Sequence, residues 1–281
     1  NFAREIMELF TVGIGHYTEQ DVQETARAFT GWGFGVNRVR QMETLPGRAV
    51  QFVFDPRQHD EGVKSILGNK GPFSGDDVCG ILCGNPQTAR HLVLKMWEWF
   101  AYAKPEDALI DRLAKRFREN GLKIAGLVRD IMESEEFYSD KAARKIYKNP
   151  IDFVVPAVRA LGIANSMRSV LQDTTADENR RRGALAPAAL SVTTTKTMGM
   201  ELMFPPDVAG WEHGQAWISS ATMIERIKMA DKLFSGALGR LSGAVIAQQV
   251  IPAKATSEGI VDALISIFDA EVPAAKRTAL I

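Results

Sequence analysis

Charged residues crowd the start of the chain in a pattern that has chemical meaning. Arg4, Glu5, Glu8, His16, Asp21, Glu24 and Arg27 come within one short stretch, and His59 with Asp60 follows further on. Two carboxylates beside a histidine can hold a divalent metal or share a proton, and a glutamate next to an arginine can be fixed as a base. Glu5, Glu8, His16, His59 and Asp60 are therefore the catalytic candidates, and a metal-assisted hydrolase is the activity they would support. The simpler reading is a structural ion-pair network locking a helical hairpin, with Arg4 on Glu8 and with Glu24 or Arg27 completing it.

A second grouping is aromatic. Trp32, Trp97, Trp99, Trp211 and Trp217 are the tryptophans of the chain. Helical spacing assigns Trp97 and Trp99 to a core. Trp211 and Trp217 fall on a Gly-rich and Pro-rich loop, where an exposed indole can stack on a sugar face or on an apolar protein partner. Arg180, Arg181 and Arg182 read as a solvated loop, with a phosphate, sulfate or acidic partner as the alternative. Cys79 and Cys83 are spaced i,i+4 on one helix, too few for a zinc quartet, and read as buried thiols. Walker, H-E-x-x-H, G-x-S-x-G and dinucleotide signatures are absent.

Composition narrows the classes further. The chain has 281 residues, 46% hydrophobic, with 34 basic and 34 acidic side chains and a net charge of +0. Such a balance generates no global field for nucleic acid, and no apolar run is long enough to span a membrane.

These groups need elements to hold them. Spacing predicts an amphipathic helix over residues 2–12, with Phe2, Ile6, Leu9 and Phe10 on its core face. Thr18 and Asp21 form a capping-box start for a second helix whose core face is Val22, Ala26 and Phe29, stopping near Gly31. Glycines and prolines forbid a long helix over residues 33–75. There, residues 50–54 and 64–67 read as short strands of one small hairpin, with 55–62 as its turn. Asn85-Pro86 and Asn149-Pro150 each open a helix. Further helices are predicted at 76–83, 105–120, 122–133, 190–203, 219–234, 257–268 and from 274. The stretch 163–218 reads as less regular.

Several of these segments together resemble a known family. Asn1-Phe2-Ala3-Arg4-Glu5, Gly15-His16-Tyr17-Thr18, Ala26-Arg27-Ala28-Phe29-Thr30-Gly31-Trp32, His59-Asp60, Lys148-Asn149-Pro150 and Pro205-Pro206-Asp207-Val208-Ala209-Gly210-Trp211 with Gly214 and Trp217 are similar in order and spacing to the bacterial family of unknown function DUF1800. The similarity runs over about residues 1–235. It adds Tyr17 and Arg90 to the polar positions and carries no catalytic role to any of them. Family members normally carry a further helical region upstream, so the resemblance implies a missing N-terminal part. The family's association with sulfatase-like neighbours implies an extracytoplasmic, surface-polysaccharide setting.

The fold expected is mainly α, a multi-helical globular bundle with a small β-hairpin excursion near residues 48–68. It is expected as a single domain over 1–281, with a subdivision into 1–140 and 141–281 as the variant. The leading functional expectation is a non-catalytic binding or assembly protein linked to cell-surface or polysaccharide processing, with a protein or glycan partner. Arg4, Tyr17, Asp21, Arg27, Trp32, Arg90, Trp211 and Trp217 are its binding candidates. The alternatives are the metal-assisted hydrolase, with a divalent metal as cofactor, and a structural subunit of a larger complex.

Overall fold

Short polar signals start most of the helices. In a computed structural model, which describes residues 1–35, 51–235, 250–252 and 254–281, helix α1 covers Phe2–Glu8 and α2 covers Glu19–Ala28. Thr18 and Asp21 close a reciprocal capping box at the start of α2, as the spacing predicts, and Gly31 takes a φ of +83° just after it. The buried faces differ from expectation. Ala3 and Met7 are buried in α1 while Phe2 is 59% and Phe10 55% exposed, and α2 buries Val22, Thr25 and Ala28 but leaves Ala26 outside. The buried face of α1 is thus offset by one residue from its most hydrophobic stripe.

Two separate hairpins replace the single one expected. Strand β1, Trp32–Gly35, pairs antiparallel with β2, Gln51–Phe54, and β3, Lys64–Ile66, pairs with β4, Asn69–Gly71. The segment 55–62 thus joins the hairpins rather than closing one. It holds a 3-10 turn, Pro56–Gln58, whose N-cap Asp55 accepts from the Arg57 amide. Leu67 and Gly68 make the β3–β4 turn with φ of 47° and 79°, the left-handed pair that a two-residue hairpin loop requires.

Helix α3, Gly75–Gly84, starts from a Ser74–Asp77 capping box, and α4, Pro86–Phe100, from Asn85 with proline in its first turn. Helices α5, Asp107–Glu119, and α6, Ile124–Met132, follow. Trp97 is fully buried here with Leu113, Phe117, Leu127 and Ile131, whereas Trp99 is exposed, because residues two apart on a helix face different sides. Each large apolar side chain so enclosed contributes roughly 1.5 to 3 kcal/mol. A second cluster joins Met7, Val22, Phe29, Ile66, Val78 and Leu82. Cys79 is half-buried and Cys83 is exposed, so only the first fits the expected buried thiol.

Asn1–Ile146 and Tyr147–Ile281 are two compact units. The second contains α7, Pro150–Ala160, α8, Ile163–Gln172, α9, Glu178–Ala184, α10, Ala186–Thr197, α11, Ser220–Phe234, α12, Ser257–Phe268, and α13, Ala274–Leu280. The stretch read as irregular is therefore largely helical. The run Arg180 to Arg182 lies inside α9, capped by Asp177, rather than on a loop. Val154, Val158, Leu161, Ile163, Met198, Met229 and Leu233 form this unit's core. Among the described residues no helix is long and apolar enough to cross a membrane.

Candidate functional site

The charged residues of the first unit gather into two networks rather than one centre. In the first, Arg4 Nη2 donates to Glu19 Oε2 at 2.5 Å, tying α1 to α2. Tyr17 donates its hydroxyl to Glu8 Oε2, also at 2.5 Å. That bond to Glu8 raises the Tyr17 phenol above its ordinary value, so it remains a donor. The expected Arg4–Glu8 pair is not formed, because Glu19 at the start of α2 lies within reach of the guanidinium and Glu8 is taken by the phenol.

The second network is centred on Arg27. Its Nε and Nη2 donate to the two oxygens of Asp60 at 2.8 and 3.1 Å, and its Nη1 donates to Glu24 at 2.9 and 3.0 Å. Glu24 also accepts the Ser65 amide at 3.0 Å, and Asp60 accepts the Gly62 amide at 2.8 Å. The guanidinium beside Asp60 holds its carboxyl down at about 2. A carboxylate so acidic, with both oxygens engaged, is a poor general base at neutral pH. Lys64 is buried and donates to the carbonyls of Asp60 and Gly62, so two cations balance two carboxylates.

His59 is anchored from the other side. Its Nδ1 lies 2.9 Å from the Thr30 carbonyl and therefore donates to it, while Thr30 Oγ1 donates to the Arg27 carbonyl and accepts the Asp60 amide. A carbonyl on Nδ1 fixes the tautomer that leaves Nε2 as an acceptor. Phe54 packs on the same imidazole edge-to-face at 5.6 Å.

Asp21 serves two elements at once. One oxygen closes the α2 capping box, and the other accepts the Leu67 amide at 2.7 Å, which tethers the β3–β4 turn to α2. Arg90 joins α4 to α5 by way of Asp107 and Asp111. His16 is exposed. Among the described residues no group of three or more His, Cys, Asp or Glu is arranged to hold a metal ion, so Glu5, Glu8, His16, His59 and Asp60 are not gathered as ligands of one.

The tryptophans divide similarly. Trp217 is buried, and Trp211 is half-buried with its indole N–H enclosed and without an acceptor. Trp217 therefore presents no open ring face for sugar stacking. Trp32 is half-buried in an edge-to-face run of rings, Phe2 to Phe29 at 5.0 Å, Phe29 to Trp32 at 4.9 Å and Trp32 to Phe52 at 5.0 Å. A Cβ on Gly75 would sit 2.5 Å from the Trp32 ring and 2.7 Å from Phe29, so glycine at the start of α3 is what lets this run close. The run ends in solvent: Phe52 is 63% exposed and Phe34, its cross-strand partner, 72%.

Sequence reasoning missed Glu19, Thr30, Lys64 and His91. Lys64 was legible in one respect, since alternation in β3 puts it on the face of buried Ile66. His91 on α4 is half-buried against Gly13, with its Nε2 enclosed and without a partner, and burial lowers its pKa below the ordinary value.

The fold and these closed networks define a mainly helical protein whose prominent polar residues join its elements to one another. The chain belongs to the family described as protein of unknown function DUF1800, whose model matches residues 1–281, the whole chain rather than the first 235 residues alone. No curated protein and no solved structure matches it.

Proposed function

We propose that this protein is a non-catalytic binding or assembly protein that takes a protein partner on the aromatic face of its first unit, in the cell-surface polysaccharide setting that the family resemblance implies. The observation that carries the reading is the ring run from Phe2 to Phe52, which is buried in its middle at Phe29 and open at Phe52 and its cross-strand partner Phe34. Aromatic side chains held in place by neighbours lose little entropy on binding, and they dominate the energetics of protein interfaces. The exposed rings are phenylalanines with no polar atom, so they suit an apolar protein surface better than a hydroxyl-rich sugar. Polar residues that would otherwise suggest catalysis are engaged with one another, as in the Arg27 network.

The test is a Phe34→Ser, Phe52→Ser double variant, compared with Ile14→Ser as a control at another exposed apolar position. A protein that co-purifies in fixed stoichiometry from the native cell should be retained by the control and weakened by roughly tenfold or more in the double variant, with circular dichroism unchanged. Equal retention by both, or saturable binding of a surface polysaccharide that the double variant loses, would overturn the protein-partner reading.

A further inference from the structure

Among the described residues, Arg226 on α11 is a buried cation with no carboxylate paired to it. Its side chain is only 8% exposed, and its guanidinium carbon lies 4.6 Å from the centre of the Phe153 ring. Nη2 donates to the Lys148 carbonyl at 2.8 Å, while Nε is enclosed with no acceptor. Arginine keeps its proton when buried, and buried charges in proteins are normally paired. Glu225, its neighbour in sequence, accepts from Lys228 at 2.8 Å, and Asp152 accepts from the side-chain amide of Asn149 at 2.7 Å. Residues 236–249, which follow α11, include no aspartate or glutamate.

The guanidinium meets the start of a helix, whose first turn also carries the Asp152 carboxylate. Lys148 immediately precedes Asn149, the N-cap of the 11-residue α7, so Arg226 reaches the end of the helix where amide N–H groups and the macrodipole favour an anion. Asn149 satisfies the Asp152 and Phe153 amides at 2.9 Å each, which leaves the Ile151 amide in the first turn. The Lys148 side chain is exposed.

We propose that Arg226, the first turn of α7 and Lys148 form a binding site for a small oxyanion, a phosphate or a carboxylate group, which supplies the counter-charge the guanidinium lacks. The narrow exposure of Arg226 admits a terminal group rather than a broad surface. Burial lowers the Arg226 pKa with no carboxylate to offset it, which is the electrostatic condition an anion would relieve. The site is independent of the aromatic face and stands or falls separately from it.

The experiment titrates inorganic phosphate and, separately, acetate into the whole chain at constant ionic strength against chloride, following the Arg226 Nε–H resonance and the denaturation midpoint. A saturable shift in that resonance together with a raised midpoint is expected. Saturation by phosphate identifies a phosphate group as the occupant, and saturation by acetate a carboxylate. Arg226→Lys, which keeps the charge but loses the fork, should abolish the response. Should that variant not fold, Lys148→Gln, a change at an exposed position, should weaken binding by about threefold without moving the midpoint of the anion-free protein. A resonance that does not move up to tens of millimolar of either anion, or that responds equally to chloride, would show that Arg226 only fastens α11 to the residues before α7.

Discussion

Asp60 shows what a single residue contributes and how the contribution depends on pH. Its carboxyl ordinarily titrates at 3.8 and is held at about 2 in the folded chain, first by Arg27 and then by the Gly62 amide. The folded state thus binds the proton less readily than the unfolded one, so the stabilisation is fully present above about pH 4 and is lost as the pH falls toward 2. Asp60→Asn should lower the midpoint of chemical denaturation at pH 6, and the gap from the parent protein should close between pH 4 and pH 2. A gap that stays constant down to pH 2 would mean that the charge of Asp60 is not what joins the 55–62 segment to α2. Sequence spacing picked out Arg27, Asp60 and His59 as important because such residue types seldom cluster idly. It did not reveal who pairs with whom, since Arg27 meets Asp60 only after the chain has passed through two hairpin strands. Proximity in sequence suggested Glu8 for Arg4, and the tertiary arrangement gave Glu19 instead.

The elements were legible where their ends carry local hydrogen bonds. Thr18, Asn85, Asn149 and Ser219 each start a helix with a side-chain oxygen on a first-turn amide, and such a bond forms within a few residues of chain. Strand pairing was not legible in the same way. A three-residue strand such as β3 has too little alternation to name its partner, so the joining of Lys64–Ile66 to Asn69–Gly71 emerged only from the structure. Asp21 and Asp77 allow the two kinds of contact to be separated. Both close capping boxes, but Asp21 also holds the Leu67 amide, where a leucine occupies left-handed backbone at φ 47°. Asp77→Ala should cost about 1 kcal/mol, the usual value of a cap, and Asp21→Ala about 1 kcal/mol more because the turn loses its tether. Equal losses for the two in urea denaturation would show that the Asp21–Leu67 bond adds nothing beyond the cap.

At the scale of the whole molecule, composition and helical periodicity were enough for a mainly helical protein, while the two compact units meet in sequence between Ile146 and Tyr147. No composition shift marks that boundary, and the Asn149-Pro150 signal just beyond it announces a helix start rather than a new unit. The first unit encloses two hydrophobic clusters of its own, one around Trp97 and one around Met7 and Val78, and the cluster around Val154 and Met229 lies within the second. A chain of about 150 residues buries roughly 70% of its unfolded surface, which is sufficient for independent folding. Residues 1–146 expressed alone should therefore unfold cooperatively, with near-ultraviolet circular dichroism from the enclosed Trp97 ring. Trp97→Ala in that fragment should cost about 3 to 5 kcal/mol and abolish both signals, since the ring is fully buried beside Leu113 and Phe117. A fragment that retained helical far-ultraviolet signal but showed no cooperative transition would mean that the Trp97 cluster takes its fixed packing only with residues 147–281 present, and that the two units fold as one.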